Sequence, residues 1–274
     1  MTQMSSLFDL LRIKQLDYDM FCSAGVASTS GWLYGGQVAA QALLAAGQTV
    51  APGRVPHSLH GYFLRGGDAA WPTYLRVTKD RDGRSFSSRR VEATQRGEVL
   101  FTMAVSFHRR EEGVDRQVDP APVAGDPDEL EPVELPMLVS MDCRLPDQPY
   151  AAGFMPTRYW ARCTADLAAV ADPTDPADPL LHAVVLTYLS DMSTGLVPLH
   201  EGSWRQSPTL SHSLWLHRPI RLDDWVLVDL VPRSVAGGRG WYTGTVHTRD
   251  GLLGASLAQE SLFGRFRREP TTEV

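Results

Sequence analysis

Three cysteines in 274 residues, Cys22, Cys143 and Cys163, are odd in number and lack metal or redox spacing. Reduced thiols in a cytoplasmic protein are therefore expected. Lysine occurs only at Lys14 and Lys79, so arginine carries almost all the positive charge. The net charge of −6 argues against nucleic acid as a partner. No apolar run is long enough to span a bilayer, and the first twenty residues are broken too early by polar and acidic groups for a secretory signal. Stable membrane insertion is not expected. Also missing are G-x-S-x-G, G-x-x-x-x-G-K, H-E-x-x-H and G-x-G-x-x-G. Gly83-Arg84-Ser85-Phe86-Ser87 fails the first of these at its last position. Nothing in the sequence asks for a cofactor or a metal.

What is present reads as an ordinary globular chain, 43% hydrophobic and 21% charged. Its focus is Leu180 to Met192, LLHAVVLTYLSDM, which follows a run of prolines at 173, 176 and 179 suited to a helix start. Ala183 to Leu189 is apolar on every side, so this helix belongs in a core. It ends in Ser190-Asp191. A buried carboxylate raises its pKa or finds donors, and the negative end of a helix dipole pushes the same way. Asp191 is thus a candidate general base; the alternative is a carboxylate emerging into solvent or capping the next turn.

Taken in order, the chain opens with an expected helix from Leu7 to Leu16. Gly31-Trp32-Leu33-Tyr34-Gly35-Gly36-Gln37 then leads into a second oily helix, Gln37 to about Val50, rich in alanine and edged by Gln37, Gln41 and Gln48. His57 to Arg65, Thr73 to Lys79, Ser85 to Gln95 and Val99 to His108 read as strands, the last two joined by a turn at Arg96-Gly97. A buried helix followed by antiparallel strands suggests an α+β unit with a sheet wrapped around its helix. Arg109 to Pro136 holds five prolines and many acids and reads as a linker. Met155 to Leu167 fits a strand or a helix equally well.

The second half repeats the first. His57-Ser58-Leu59 returns as His212-Ser213-Leu214, and the turn glycine Gly97 returns as Gly251. Trp225 to Val231, Trp241 to Thr248 and Leu253 to Phe263 take the places of the later strands. The order of helix, strand, strand, turn and hairpin recurs, which points to two duplicated units: 1–110, then a linker at 111–136, then 137–274. His57, His60, His212 and His217 are read as structural or interface residues, and the Gly237-Gly238-Arg239-Gly240 segment as a strand connection. Three polar residues of the second unit stand out against oily surroundings: Asp191, Thr209 before the His-Ser-Leu strand, and Gln259 in the last strand. A carboxylate, a hydroxyl and an amide together can hold one water and deprotonate it as it attacks a carbonyl.

These residues carry a resemblance. Tyr34-Gly35-Gly36-Gln37, the run from His57 to Asp68, Asp82 to Gly97, Ser190-Asp191, Thr209 to Ser213, Trp215 to Pro219 and Ala258-Gln259-Glu260 are similar, in order, to the acyl-CoA thioesterase II family of double hot-dog enzymes. The resemblance implies two fused hot-dog units and hydrolysis of acyl-CoA to free acid and CoA. It also implies that Asp191, Thr209 and Gln259 activate the water, and that the protein assembles into a homo-oligomer. Ser193 to Ser207 is less like the family, and Ser211 stands where an acid is common. The acidic CoA end calls for arginines, with Arg89, Arg90, Arg218 and Arg239 as candidates. Two rival readings stay open: a non-catalytic acyl-CoA-binding protein of the same fold, and an enoyl-CoA hydratase. The hydratase needs an Asp/His pair, and His182 lies nine residues before Asp191.

Overall fold

The computed structural model describes residues 6–25, 31–150, 155–171 and 178–265. Pro173 and Pro176 of the proline run lie outside the described residues. The first half comprises α1 (Leu7–Leu11), β1 (Ile13–Asp17), β2 (Met20–Ser23), α2 (Gly35–Gly47), β3 (Arg54–Phe63), β4 (Thr73–Asp82), β5 (Phe86–Gln95) and β6 (Glu98–Arg109). The second comprises β7 (Met141–Arg144), β8 (Arg158–Cys163), α3 (Pro179–Ser190), β9 (Trp204–Leu216), β10 (Val226–Ala236), β11 (Arg239–Thr248) and β12 (Leu253–Arg265). The strands form one sheet of twelve in the order β1-β2-β4-β5-β6-β3-β9-β12-β11-β10-β8-β7. At its middle the two His-Ser-Leu strands pair antiparallel, with Leu59 opposite Leu214.

Two expectations from sequence change here. The first helix stops at Leu11 and not at Leu16, because its apolar stripe ends there: Leu7 and Leu11 are buried, whereas Lys14 to Asp17 are exposed and pair with β2 as an edge strand. Ser6 and Asp9 close a capping box at its start. The undecided segment after Met155 is a strand, β8, paired with β7 and β10.

Side chains along β5 alternate strictly, so that Arg89, Val91 and Ala93 face inward while Arg90 and Glu92 face out. On the inner face lie α2 and α3, packed against each other. The alanines of α2 (Ala39, Ala40, Ala42, Ala45, Ala46) have no exposed surface. Two glycines set how close the helices come. A Cβ on Gly36 would meet the Tyr188 carbonyl oxygen at 2.5 Å, and one on Gly47 would meet the Leu180 side chain at 2.5 Å. The helices therefore run antiparallel, with the start of α2 against the end of α3. This crossing positions the site.

The segment read as a linker holds no strand of the sheet, but it is tied down. Ala124 and Leu130 cover Trp160, Trp225 and Leu227 in a small cluster separate from the main core. The Gln117 side chain bonds both the Gly251 carbonyl and the Leu253 N–H, and Arg249 pairs with Asp126 and Asp128.

Candidate active site

Asp191 is the C-cap residue of α3, and only 4% of it is exposed. Since α2 begins beside the end of α3, the carboxylate faces the first turn of α2, and the Gly36 N–H donates to it. Gly35 permits the approach: a Cβ there would lie 2.5 Å from Asp191 Oδ2 and 2.9 Å from the Phe63 ring. Burial is the largest influence on the acid and raises its pKa to about 7; hydrogen bonds from Thr209, Gln259, Gly36 and Ser193 oppose it.

Thr209 is carried by β9 and Gln259 by β12. The Thr209 hydroxyl lies 3.3 Å from Asp191 Oδ1, and Gln259 Nε2 donates to Thr209 Oγ1 at 2.8 Å. The three residues picked out from sequence are therefore brought together. A fourth joins them. Ser193 Oγ lies 2.9 Å from Thr209 Oγ1 and accepts from Gln259 Nε2 at 2.6 Å.

Thr209 reaches this face through a register shift. Glu260 stands opposite Ser211 while the next residue, Ser261, stands opposite Thr209. Leu210 is the extra residue of a bulge, and such a bulge re-aims the side chains on either side of it. Without it, Thr209 and His212, three apart, would point to opposite faces. With it, both share the inner face with Gln259. His212 is buried and touches Gln259 Oε1 through Nδ1 at 2.7 Å and Ser190 Oγ through Nε2 at 2.8 Å. Sequence reasoning took His212 as structural and passed over Ser190 and Ser193. Its place two residues after the bulge was invisible without the pairing register.

A cavity of about 670 Å³ opens onto Asp191, Ser193 and Thr209, and its other walls are mostly apolar, among them Leu33, Val38, Phe63, Leu100, Phe101 and Met137. Gln259, which has no exposed surface, stands behind the two hydroxyls rather than in the wall.

The arginines chosen from sequence are placed elsewhere. Arg89 is buried and fully engaged: Nε donates to Thr49 Oγ1 at 2.8 Å, and the terminal nitrogens serve Asp82, Arg81, Ser88 and the Thr49 carbonyl. It has no surface to offer an anion. Arg90 pairs with Asp80 at 2.9 Å, Arg218 with Asp115, and Arg239 with Glu260 at 2.9 Å. None of the four lines the cavity at Asp191; Arg65 does, beside Glu98 at 3.1 Å. His182, considered for a hydratase pair, accepts the Leu222 N–H through Nδ1 in the first turn of α3, at the opposite end of the helix from Asp191.

Comparison with known proteins gives the family and the fold. The family model for the acyl-CoA thioesterase N-terminal domain matches residues 24–108, and that for the C-terminal domain matches residues 111–263. The chain is 32% identical to acyl-CoA thioesterase 2 of Haemophilus influenzae over 94% of its own length and 97% of the relative's. The crystal structure of acyl-CoA thioesterase II TesB2 from Mycobacterium marinum is 33% identical, covers 95% of this chain and 99% of its own, and superposes with a TM-score of 0.78. A hot-dog-fold protein from Alicyclobacillus acidocaldarius, 18% identical, covers 95% of this chain and 98% of its own with a TM-score of 0.76. The architecture is thus the hot-dog fold, and the chain belongs to the acyl-CoA thioesterase family.

Proposed function

We propose that this enzyme hydrolyses acyl-CoA thioesters to free fatty acid and CoA with a water activated by Asp191, Thr209 and Gln259. The observation that carries the reading is the convergence of a buried carboxylate and two hydroxyls at the wall of an apolar cavity, with an amide behind the hydroxyls. Asp191, with its pKa near 7, is a base matched to neutral pH. A water on the cavity side of the Asp191–Thr209 pair, within reach of both, loses its proton to Asp191 and attacks the thioester carbonyl. The N–H groups of Gly36, Gln37 and Val38 are already engaged, so the Gly35 N–H, on a residue that lines the cavity, and the positive end of the α2 dipole serve the developing oxyanion. Collapse of the intermediate expels the CoA thiolate, which takes up a proton.

The apolar walls hold the acyl tail. The CoA end leaves by the mouth where Arg65 stands, and that guanidinium is the cation we assign to a phosphate in place of Arg89. Two hot-dog units, residues 1–110 and 137–274 with the segment 111–136 between them, account for the strand order, which reads the same outwards from the β3–β9 pair in both directions. Each unit contributes one central helix. Three unpaired cysteines support a cytoplasmic location, and no helix among the described residues is long and apolar enough to cross a membrane. The exposed aromatic side chains Tyr62, Trp215 and Trp241 on the outer sheet face support assembly into a homo-oligomer.

Free thiol release from a panel of saturated acyl-CoAs tests the reaction, and Thr209 tests the mechanism. Thr209→Ser keeps the hydroxyl and should retain most of the turnover, whereas Thr209→Val should lose about tenfold or more. Binding of acyl-CoA without thiol release would favour a non-catalytic carrier instead.

A further inference from the structure

His212 and Gln259 stand directly opposite each other across β9 and β12, both sealed from solvent. The Gln259 amide has two faces to satisfy. One end touches Ser193 Oγ at 2.6 Å and Thr209 Oγ1 at 2.8 Å; the other touches His212 Nδ1 at 2.7 Å. An amide can turn end for end, and each orientation gives the hydroxyls a different role. With the NH2 group towards them, both oxygens accept from Gln259, and their own protons are free to point onward. Thr209 then donates to Asp191, and Ser193 to Thr209 or to Asp191. With the carbonyl towards them, at least one hydroxyl proton is drawn back to Gln259 and away from the carboxylate.

The imidazole decides between these orientations. Burial lowers the His212 pKa to about 4, so at neutral pH the ring carries a single N–H. Nδ1–H fits only the carbonyl end of Gln259; a bare Nδ1 fits only the NH2 end. The Ser190 hydroxyl has two acceptors in reach, the ring's other nitrogen at 2.8 Å and the Thr187 carbonyl at 3.1 Å; turned to the nearer, its single proton is donated to Nε2 and the ring proton is held on Nδ1. Ser190 is the last residue of α3, next to Asp191 itself. The chain of donors runs in one direction, from Ser190 through His212, Gln259 and Thr209 to Asp191.

We propose that His212 is a positioning residue of the hydrolytic site: its Nδ1–H holds the Gln259 carbonyl and thereby fixes the amide NH2 on Thr209 and Ser193. It touches neither the cavity nor the reacting atoms. The inference rests on the Asp191, Thr209 and Gln259 mechanism proposed above, and its test separates the two.

The experiment is a double-mutant cycle on the full chain, with kcat and KM measured for one acyl-CoA and folding followed by thermal melting. His212→Leu should lower kcat about tenfold or more with KM nearly unchanged. In a Gln259→Ala background the same substitution should cost nothing further, because the group it positions is gone. His212→Asn, which returns a donor near the place of Nδ1, should recover most of the turnover, and His212→Gln, whose amide reaches instead towards the place of Nε2, should not. Equal loss from His212→Leu in both backgrounds, wild-type kcat in that variant, or equal activity of the Asn and Gln variants would overturn the inference alone. If His212→Leu does not fold, the Asn and Gln pair decides by itself. Wild-type kcat in Gln259→Ala would instead remove the parent mechanism, and this inference with it.

Discussion

Asp191 Oδ2 occupies the space that a Cβ on Gly35 would need, at 2.5 Å. The C-cap of one central helix is thus seated in the first turn of the other, and the base is held by both halves of the chain. Gly35→Ala should displace the carboxylate or the Phe63 ring behind it. We expect a fall in kcat of about tenfold or more, since a shift of about 1 Å in a reacting group is that costly. Circular dichroism and thermal melting should show the fold retained. An alanine variant with full turnover would mean that the contact does not set the geometry of the base.

The raised pKa of Asp191 has a cost in stability. Its pKa rises from 3.8 to about 7 on folding, so between those values the folded chain keeps a proton that the unfolded chain has released. Stability from this group is whole below pH 4 or so and is lost as pH climbs through 7, by an amount on the order of 4 kcal/mol. Asp191→Asn is neutral throughout. Its melting temperature should match wild type near pH 4 and exceed it at pH 8, and a difference independent of pH would contradict the assignment.

Arg89 is expected to matter for folding and not for substrate. Its guanidinium joins β5 to Thr49, just past the end of α2, and to Asp82. Arg89→Ala should cost about 2–4 kcal/mol in denaturant unfolding, because it strips partners from buried acceptors and leaves a void. The KM for acyl-CoA in the folded fraction should stay within about twofold of wild type, as expected for loss of a group outside the binding site.

Acyl-chain preference should respond to Val38, a buried residue of α2 in the cavity wall. Val38→Phe narrows the apolar volume. The kcat/KM for long-chain acyl-CoA should fall about tenfold relative to a short-chain substrate, as when a pocket loses room for a few methylenes. An unchanged ratio across the panel would place the acyl tail elsewhere.

Much of this was legible in the sequence because burial writes periodicity. Both oily helices, the hairpin at Arg96-Gly97 and the repeated His-Ser-Leu strands were readable from apolar spacing and turn residues. The alternation of β5 could also have separated the neighbours Arg89 and Arg90, since adjacent strand residues face opposite sides. Leu7 to Leu16 misled because Leu16 extends the run of leucines past the point where anything remains to pack against, and it stands half exposed on β1. Asp191, Thr209 and Gln259 stood out as polar residues in oily surroundings and the family likeness pointed to the same three, whereas the contacts of His212 and Ser193 with them had no such signal. Their places depend on the bulge at Leu210 and on the antiparallel crossing of α2 and α3, both of which are set by long-range pairing that no local pattern records.

The most direct test is steady-state turnover of Asp191→Asn against pH on purified, folded protein. Wild-type kcat/KM should rise with pH and level off above about 7, as the carboxyl with that pKa ionises. The variant should lose two to four decades of kcat, the range roughly expected for removal of a positioned base, with no inflection near 7. Turnover by Asp191→Asn at the wild-type rate, with the wild-type pH profile, would contradict the account.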